Sequence, residues 1–394
     1  MLGKKLKSGG EGSVYLVEGR PELVAKVYHD EKFRDMASAV AIPRAYLLNK
    51  IKAMLDAPID GYMPTSSGER ILAVAWPEDV LLDSGGKFVG YVMPKVESSH
   101  TIHVAYRPIE RPMLFNDYTW RNGISLAFNL ASAVNYLHER GIVVGDFNSN
   151  NILINGNGFV TLIDADSFSI DDGGTPATVY RCMVGVGEYL APELQGKDLS
   201  KEGDFTKESD CFSLAIHIFQ LLTDNFHPFN CVGVGNSRSS SSVNPTVTHI
   251  AKGMCPFVSS ASVSPPPAAP DMAMFPKEIR NLFDRAFGYD VYSAVKRETI
   301  AARPSAREWR DALLRLYGHA SDFERCSKGH QYLKRYGSCP WCAATRRVPQ
   351  PTPHARHSAA LASNINVGKT VPGKRGSSHP LLKALLVLVC KRQK

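Results

Sequence analysis

The sequence has no apolar run long enough to cross a bilayer: Ala384 to Cys390, the longest late in the chain, falls far short of the ~20 residues needed, and no apolar leader follows Met1. With basic residues on both sides, that run reads as an exposed or partner-bound tail, a peripheral or truncated anchor being the rarer alternative. The eight cysteines lack the spacing of a secreted disulfide framework, so a reducing, cytoplasmic setting is expected. Acidic residues are missing altogether from Ala343 to Lys394, a stretch with ten Lys and Arg; without it the remaining 36 basic and 38 acidic residues give a net charge of −2, so the formal +8 belongs to the tail. There is no internal repeat. What is present, 394 residues of which 44% are hydrophobic and 21% charged, suffices for one large or two moderate cores plus small appendages.

Short apolar and polar alternations, "GSVYLV", "ELVAKVYH" and "KFVGYVMPKV", predict a small sheet before Val96, with a helix over Ala37 to Leu55. Beyond Tyr118 helical periodicity dominates. Ile124, Leu126, Leu130, Val134 and Leu137 fall near one face of a long helix, and "DCFSLAIHIFQLLT" is apolar nearly all round, as in a buried helix. Ser, Pro and Gly between Asn230 and Pro276 predict an extended loop of limited order, and helical signal resumes from Glu278 to Leu316.

"LKSGGEGSVYLV" places Gly9 and Gly12 in a turn between strands, where backbone N–H groups can approach phosphate oxygens and Val14 can lie against a flat base. A ligand-free glycine hairpin is the commoner meaning of such a turn. The next strand, "LVAKVY", adds Ala25 and Lys26, a cation within reach of phosphates under the turn. "GIVVGDFNSNNILI" then holds Asp146 and, five residues on, Asn151; Asp164 follows in "VTLIDAD", 18 residues beyond Asp146. "GVGEYLAPE" ends in Ala191, Pro192 and Glu193, a buried-helix pattern starts at Asp210, and "ARPSAREW" supplies Arg303.

In this order, from about Leu6 to Leu316, the segments resemble the protein kinase superfamily, closest in pattern to atypical bacterial or phage Ser/Thr kinases. The resemblance implies an α+β, two-lobed protein-kinase-like fold: a sheet-rich N-lobe and hinge over residues 1–96, and a helical C-lobe over 97–317 carrying the Ser/Pro-rich insert at about 230–276. ATP would bind between the lobes, its phosphates near Gly9, Gly12 and Lys26. Adenine would lie between Val14 and Ala25 above and Leu153 below, beside Met93 of a hinge in "YVMPKV". Asp146 would orient the attacking hydroxyl, Lys26 would be catalytic through the phosphates, Asn151 and Asp164 would hold Mg2+, and Arg303 would pair with Glu193.

Against the family pattern, Val144 and Gly145 stand where His and Arg precede the catalytic Asp, so activation through an Arg-bound phosphorylated segment is not expected. Asn148 replaces a Lys, Val186 replaces a Thr, and D-F-G has become Asp164, Ala165, Asp166. No Glu occurs between Lys32 and Gly68, so the helix lacks a carboxylate for Lys26; Asn49 is the candidate for its place, with Glu11 or Asp164 as substitute partners of the lysine.

"CSKGHQYLKRYGSCPWC" separates Cys326 and His330 by three residues, and Cys339 and Cys342 by two. Two ligand pairs on turns complete a closed thiolate and imidazole shell, so a structural Zn2+ in a zinc-ribbon-like module, residues 322–345, is expected, with residues 346–394 a basic flexible tail. The alternative is free cysteines in a loop. Such a module takes its folding energy from the metal and is expected to unfold apart from the larger body. Lys328, Lys334, Arg335, Arg346 and Arg347 read as a solvated face before a nucleic-acid surface.

The leading expectation is an atypical kinase that transfers the γ-phosphoryl group of ATP to protein Ser or Thr, with partners engaged through the ribbon. The alternatives are a nucleotide-binding pseudokinase scaffold, favoured by the lost Glu and Phe, and a nucleic-acid-associated regulator.

Overall fold

A computed structural model describes residues 1–33, 42–65, 67–97, 99–232, 244–259, 261–288 and 302–347. Residues 348–394 of the basic tail, with its apolar run, lie outside the described residues, as does the first part of the predicted first helix. Among the described residues, no helix is long and apolar enough to cross a membrane.

The N-terminal region is an antiparallel five-stranded sheet formed by β1 (Leu2–Ser8), β2 (Gly12–Val17), β3 (Arg20–Tyr28), β6 (Asp79–Leu82) and β7 (Phe88–Pro94), in the order β1-β2-β3-β7-β6. One helix, α1 (Arg44–Asp56), packs against β6 and β7, and a small hairpin, β4 (Tyr62–Pro64) with β5 (Arg70–Leu72), follows it. Gly12 is required by close packing: a Cβ there would lie 2.6 Å from the Val27 carbonyl oxygen, so the β2–β3 approach excludes any side chain.

Register decides which residues look into the cleft. Val14 and Tyr91 both pair with Lys26, while Leu16 and Met93 pair with Val24. Cross-strand partners share a face, so Val14, Val24, Lys26, Tyr91 and Met93 line one side. Ala25, paired with Tyr15 and Val92, points to the other side, and the expectation that it covers adenine is corrected: Val24 is the neighbour that shares the face of Lys26. Of the hinge segment Tyr91 to Val96, Tyr91 to Pro94 are strand, and Lys95 still donates its N–H to the Glu22 carbonyl.

After the crossing, β8 (Ser99–Thr101) joins β9 (Ile152–Asn155) and β10 (Val160–Leu162) in a three-stranded sheet, and α2 (His103–Tyr106) leads on to α3 (Trp120–His138). Next along the chain come β11 (Ile170–Asp171) paired with β12 (Val179–Tyr180), α4 (Lys207–Leu222), α5 (Pro245–Ala251), α6 (Lys277–Phe287) and α7 (Ala306–Gly318). Capping boxes start α3 at Thr119 and Asn122, α4 at Thr206 and Ser209, and α7 at Ser305 and Glu308, each satisfying N–H groups that the helix itself leaves open. Helix α3 is not amphipathic as its periodicity suggests. Packed by α4 and α7, it is buried almost all round, and Asn129 and Ser132 are accommodated by bonds to the Gly158 and Phe128 carbonyls.

The Ser/Pro-rich insert also departs from its composition. Its described part contains α5 and places Ile250, Cys255, Phe257, Met274 and Phe275 in the main core. A few apolar anchors between prolines hold the segment without regular periodicity.

Candidate active site and its supporting shell

Asp146 lies on the loop between α3 and β9. Its Oδ1 accepts from Asn148 Nδ2 at 2.9 Å and its Oδ2 from Asn151 Nδ2 at 3.1 Å. Asn151 Nδ2 also donates to the Asp146 carbonyl at 2.9 Å, so its own amide oxygen takes no part in either bond. Burial pushes the Asp146 carboxyl up from its ordinary value, against the two amide hydrogen bonds that hold it down. The residue that replaces the family Lys is therefore an orienting group for Asp146.

The loop hangs from α4. Asp210, buried at the start of that helix, accepts the N–H groups of Val144 at 2.7 Å and Gly145 at 2.9 Å, and His138 Nε2 lies 3.0 Å away. His217, farther along α4 and fully buried, is bonded to the Phe147 carbonyl through Nε2 at 3.0 Å and to the Tyr106 hydroxyl through Nδ1 at 2.6 Å, and stacks on Tyr189. With Nε2 donating and Nδ1 accepting, the ring is neutral, and burial pushes it down to about 3. Glu193 receives both Arg303 guanidinium nitrogens at 2.6 and 2.7 Å, the pair read from the sequence.

Above the loop, Lys26 Nζ lies 2.8 and 3.0 Å from the Asp166 oxygens and 3.3 Å from Asp164 Oδ1. Asp164 adopts φ 60°, ψ 41°, a left-handed conformation that Asp tolerates, at the head of the short turn Ala165–Ser167. Tyr28 and Tyr91 hydroxyls also donate to Asp166, each at 2.8 Å. Burial alone would raise the Asp166 carboxyl and lower the Lys26 ammonium, but their mutual attraction wins in both: Asp166 sits well below the usual carboxylate range and Lys26 well above its usual value. Glu11 pairs with Lys32 at 2.5 Å instead of with Lys26. Asn49 is exposed; the polar residue that α1 turns inward is Lys50, whose ammonium burial pushes down to about 8.

Val14, Lys26, Met93, Asp146, Asn151 and Asp164 thus converge on the cleft between the sheet and the helical region, with half-buried Leu153 on β9 beneath. Gly9 closes the β1–β2 turn through its N–H to the Gly12 carbonyl.

Residues 109–274 match the family model for the protein kinase domain. Protein kinase YegI of Escherichia coli strain K12 is 31% identical over 345 residues, 87% of this chain and 48% of that protein. The chain carries a protein kinase domain. It spans about half the length of the YegI proteins it matches. Shorter similarities include the serine/threonine-protein kinase Pkn1 of Myxococcus xanthus, 31% identical over 126 residues (31% of this chain, 17% of Pkn1), and the ovarian-specific serine/threonine-protein kinase Lok of Drosophila melanogaster, 30% over 106 residues (26% and 21%). Kinase domains use ATP with Mg2+.

Within this domain the missing Arg has a steric explanation. Gly145 has φ +72°, and a Cβ on it would lie 2.6 Å from Cys182 Cβ, because the segment after the Asp164 turn presses directly on the loop. Cys182 joins Val143, Leu194, Leu199 and Phe205 in a separate apolar cluster, and its N–H donates to Ser169 Oγ at 2.8 Å. Apolar packing holds the segment where the family pattern has an Arg.

At the C-terminus, β13 (Phe323–Arg325), β14 (Gln331–Leu333) and α8 (Pro340–Arg347) bring Cys326, His330, Cys339 and Cys342 together, their ligand atoms all within 4.8 Å of one another. Sγ to His330 Nδ1 separations of 3.5 and 3.6 Å and a Cys326–Cys342 distance of 3.9 Å are the edges of a tetrahedron of Zn2+ size. The expectation of an independent module does not match the packing. Phe323 and Leu333 belong to the main core, Phe323 meets the Trp120 ring edge-on, Gln331 Oε1 caps the Arg121 N–H, and Arg347 donates to the Ala269 carbonyl at 2.6 Å. The cysteine spacing signalled the ligands; nothing in it signalled the docking.

Asp166, Asn148, His217 and Lys50 were not singled out as site residues by sequence reasoning. A His in an otherwise apolar helix was the available signal for His217.

Proposed function

We propose that this kinase transfers the γ-phosphoryl group of ATP to a Ser or Thr hydroxyl of a protein. The observation that carries the reading is the Asp146 carboxylate, fixed by two side-chain amides on a loop that α4 anchors, facing a cleft that also contains Lys26 and Asp164. Phosphoryl transfer asks chiefly for positioning and charge stabilisation, which this set supplies. Asp146 would accept the hydroxyl hydrogen bond and aim the attacking oxygen. Lys26 would contact the phosphates, and Gly9 and Gly12 would keep the turn above them free of side chains. Asn151 and Asp164 would hold Mg2+, which neutralises phosphate charge when bound. Val24, Val14, Met93 and Leu153 would enclose the base. The Ser/Thr class is supported by relatives whose names state it, Pkn1 and Lok.

Cys326, His330, Cys339 and Cys342 would hold a structural Zn2+ that stiffens the C-terminal module, with no ligand position open for chemistry. One observation favours a second reading, a nucleotide-binding scaffold: Lys26 is already engaged by two carboxylates and must be partly released to meet phosphate.

The deciding experiment incubates the purified protein with labelled ATP and Mg2+, alone and with generic protein acceptors, beside Asp146→Asn. Transfer by the wild type that falls at least ~100-fold in the variant, with nucleotide affinity kept, supports the enzyme. Bound MgATP with no transfer above the variant's level establishes the scaffold.

A further inference from the structure

In protein kinases the β3 lysine is held by a carboxylate from the helix packed on the sheet, and moving that helix controls the lysine. Here the buried residues of α1 are Leu47, Lys50, Ile51 and Met54, so the charge facing inward has the opposite sign. Lys50 makes no hydrogen bond or ion pair with the described residues, is only 2% exposed, and lies on the helix that packs against the turn Ala165–Ser167. That turn carries Asp166. Its carboxylate is 5% exposed and receives Lys26 on both oxygens, with one tyrosine hydroxyl on each.

We infer that Asp166 is the positioning residue for Lys26, doing the work of the absent helix carboxylate, and that Lys50 is the helix's complementary cation in a charge-inverted version of the same junction. The inference rests on the reading of Lys26 as the phosphate-binding lysine. It has a regulatory consequence. Lys26 is tied to the segment that carries Asp164, two residues from Asp166, so metal binding and lysine placement are coupled through one short turn. Displacing α1 would leave the Lys26–Asp166 pair intact.

The test compares wild type, Asp166→Asn, Asp166→Asn/Lys50→Glu and Asp166→Asn/Lys50→Gln by MgADP calorimetry, ATP kinetics and melting. Asp166→Asn keeps the hydrogen-bonding shape but not the charge; it should weaken MgADP binding and raise KM for ATP at least ~10-fold. Adding Lys50→Glu, which restores a carboxylate from the helix side, should recover a substantial part of that loss, whereas Lys50→Gln, which only removes the cation, should not. The inference is overturned if Asp166→Asn binds MgADP like the wild type, or if the Glu and Gln double variants behave alike. Should Asp166→Asn fail to fold, a folded, nucleotide-binding Lys50→Glu double variant supports the inference and an unfolded one overturns it. Wild-type binding without transfer would sink the enzyme reading alone, because the calorimetric comparison needs no turnover.

Discussion

Stripping metal from the C-terminal module should destabilise the kinase body as well as the module. The size follows from what the module buries. Phe323 is 8% and Leu333 3% exposed, both in the main core, and burying such a side chain is worth roughly 1.5–3 kcal/mol. The Gln331 cap on the Arg121 N–H adds about 1 kcal/mol. After a reduction for apolar surface already covered in a compact unfolded chain, about 3–5 kcal/mol remains. At roughly 2 °C per kcal/mol for a chain of this size, the body's midpoint should drop about 6–10 °C. The assay is calorimetric melting of the full chain with and without a zinc chelator under reducing conditions, repeated with Cys339→Ser. Chelation that removes a small separate transition and leaves the main midpoint unmoved would refute the docking argument, and zinc-free protein as purified would refute the metal assignment.

Breaking the Glu193–Arg303 pair with Glu193→Ala leaves the Arg303 guanidinium, 8% exposed, without its bidentate partner and should cost about 3–5 kcal/mol in denaturant unfolding. Gly145→Arg, which reinstates the family residue, should destabilise by more than ~2 kcal/mol, because it forces a left-handed side chain onto Cys182; Gly145→Arg/Cys182→Gly should recover part of the loss. Acid should weaken the fold through His217 and His227, which burial pushes down to about 3 and about 4. Below the ordinary histidine value of about 6.5 the unfolded chain takes up these protons and the folded one does not, so stability falls as pH drops from about 6.5 towards 4, by up to ~1.4 kcal/mol per pH unit for each ring, and is flat for these groups above 7. Denaturation series at pH 7, 6, 5 and 4, with His217→Gln removing one share, check the slope.

The spacing of Asp146, Asn151, Asp164, Glu193, Asp210 and Arg303 was readable in the sequence because each sits at a fixed chain distance from a turn or helix start. The partners of Lys26 were readable only in part. Asp164 was among those expected and lies 3.3 Å from Nζ, but the closer Asp166 was not, because its approach depends on the left-handed turn at Asp164, a backbone feature that no spacing encodes. Ala25 is a different case: strict alternation along β3 puts it on the opposite side from Lys26, a constraint of the pleat that motif position alone does not carry. The insert misled through composition, since prolines and serines hid the five apolar residues that anchor it.

The ties from Asp210 to Val144 and Gly145 have a consequence on the time axis. Those two amides end on a carboxylate that is 1% exposed at the head of a buried helix, so water reaches them only when the helical region itself opens. Their hydrogens should exchange with deuterium as slowly as the interior of α4, although they belong to a loop, while amides of the Gly9 turn exchange quickly. Any movement of the sheet would then pass over a stationary Asp146, and the carboxylate proposed to be catalytic would be the fixed point against which the upper region opens and closes.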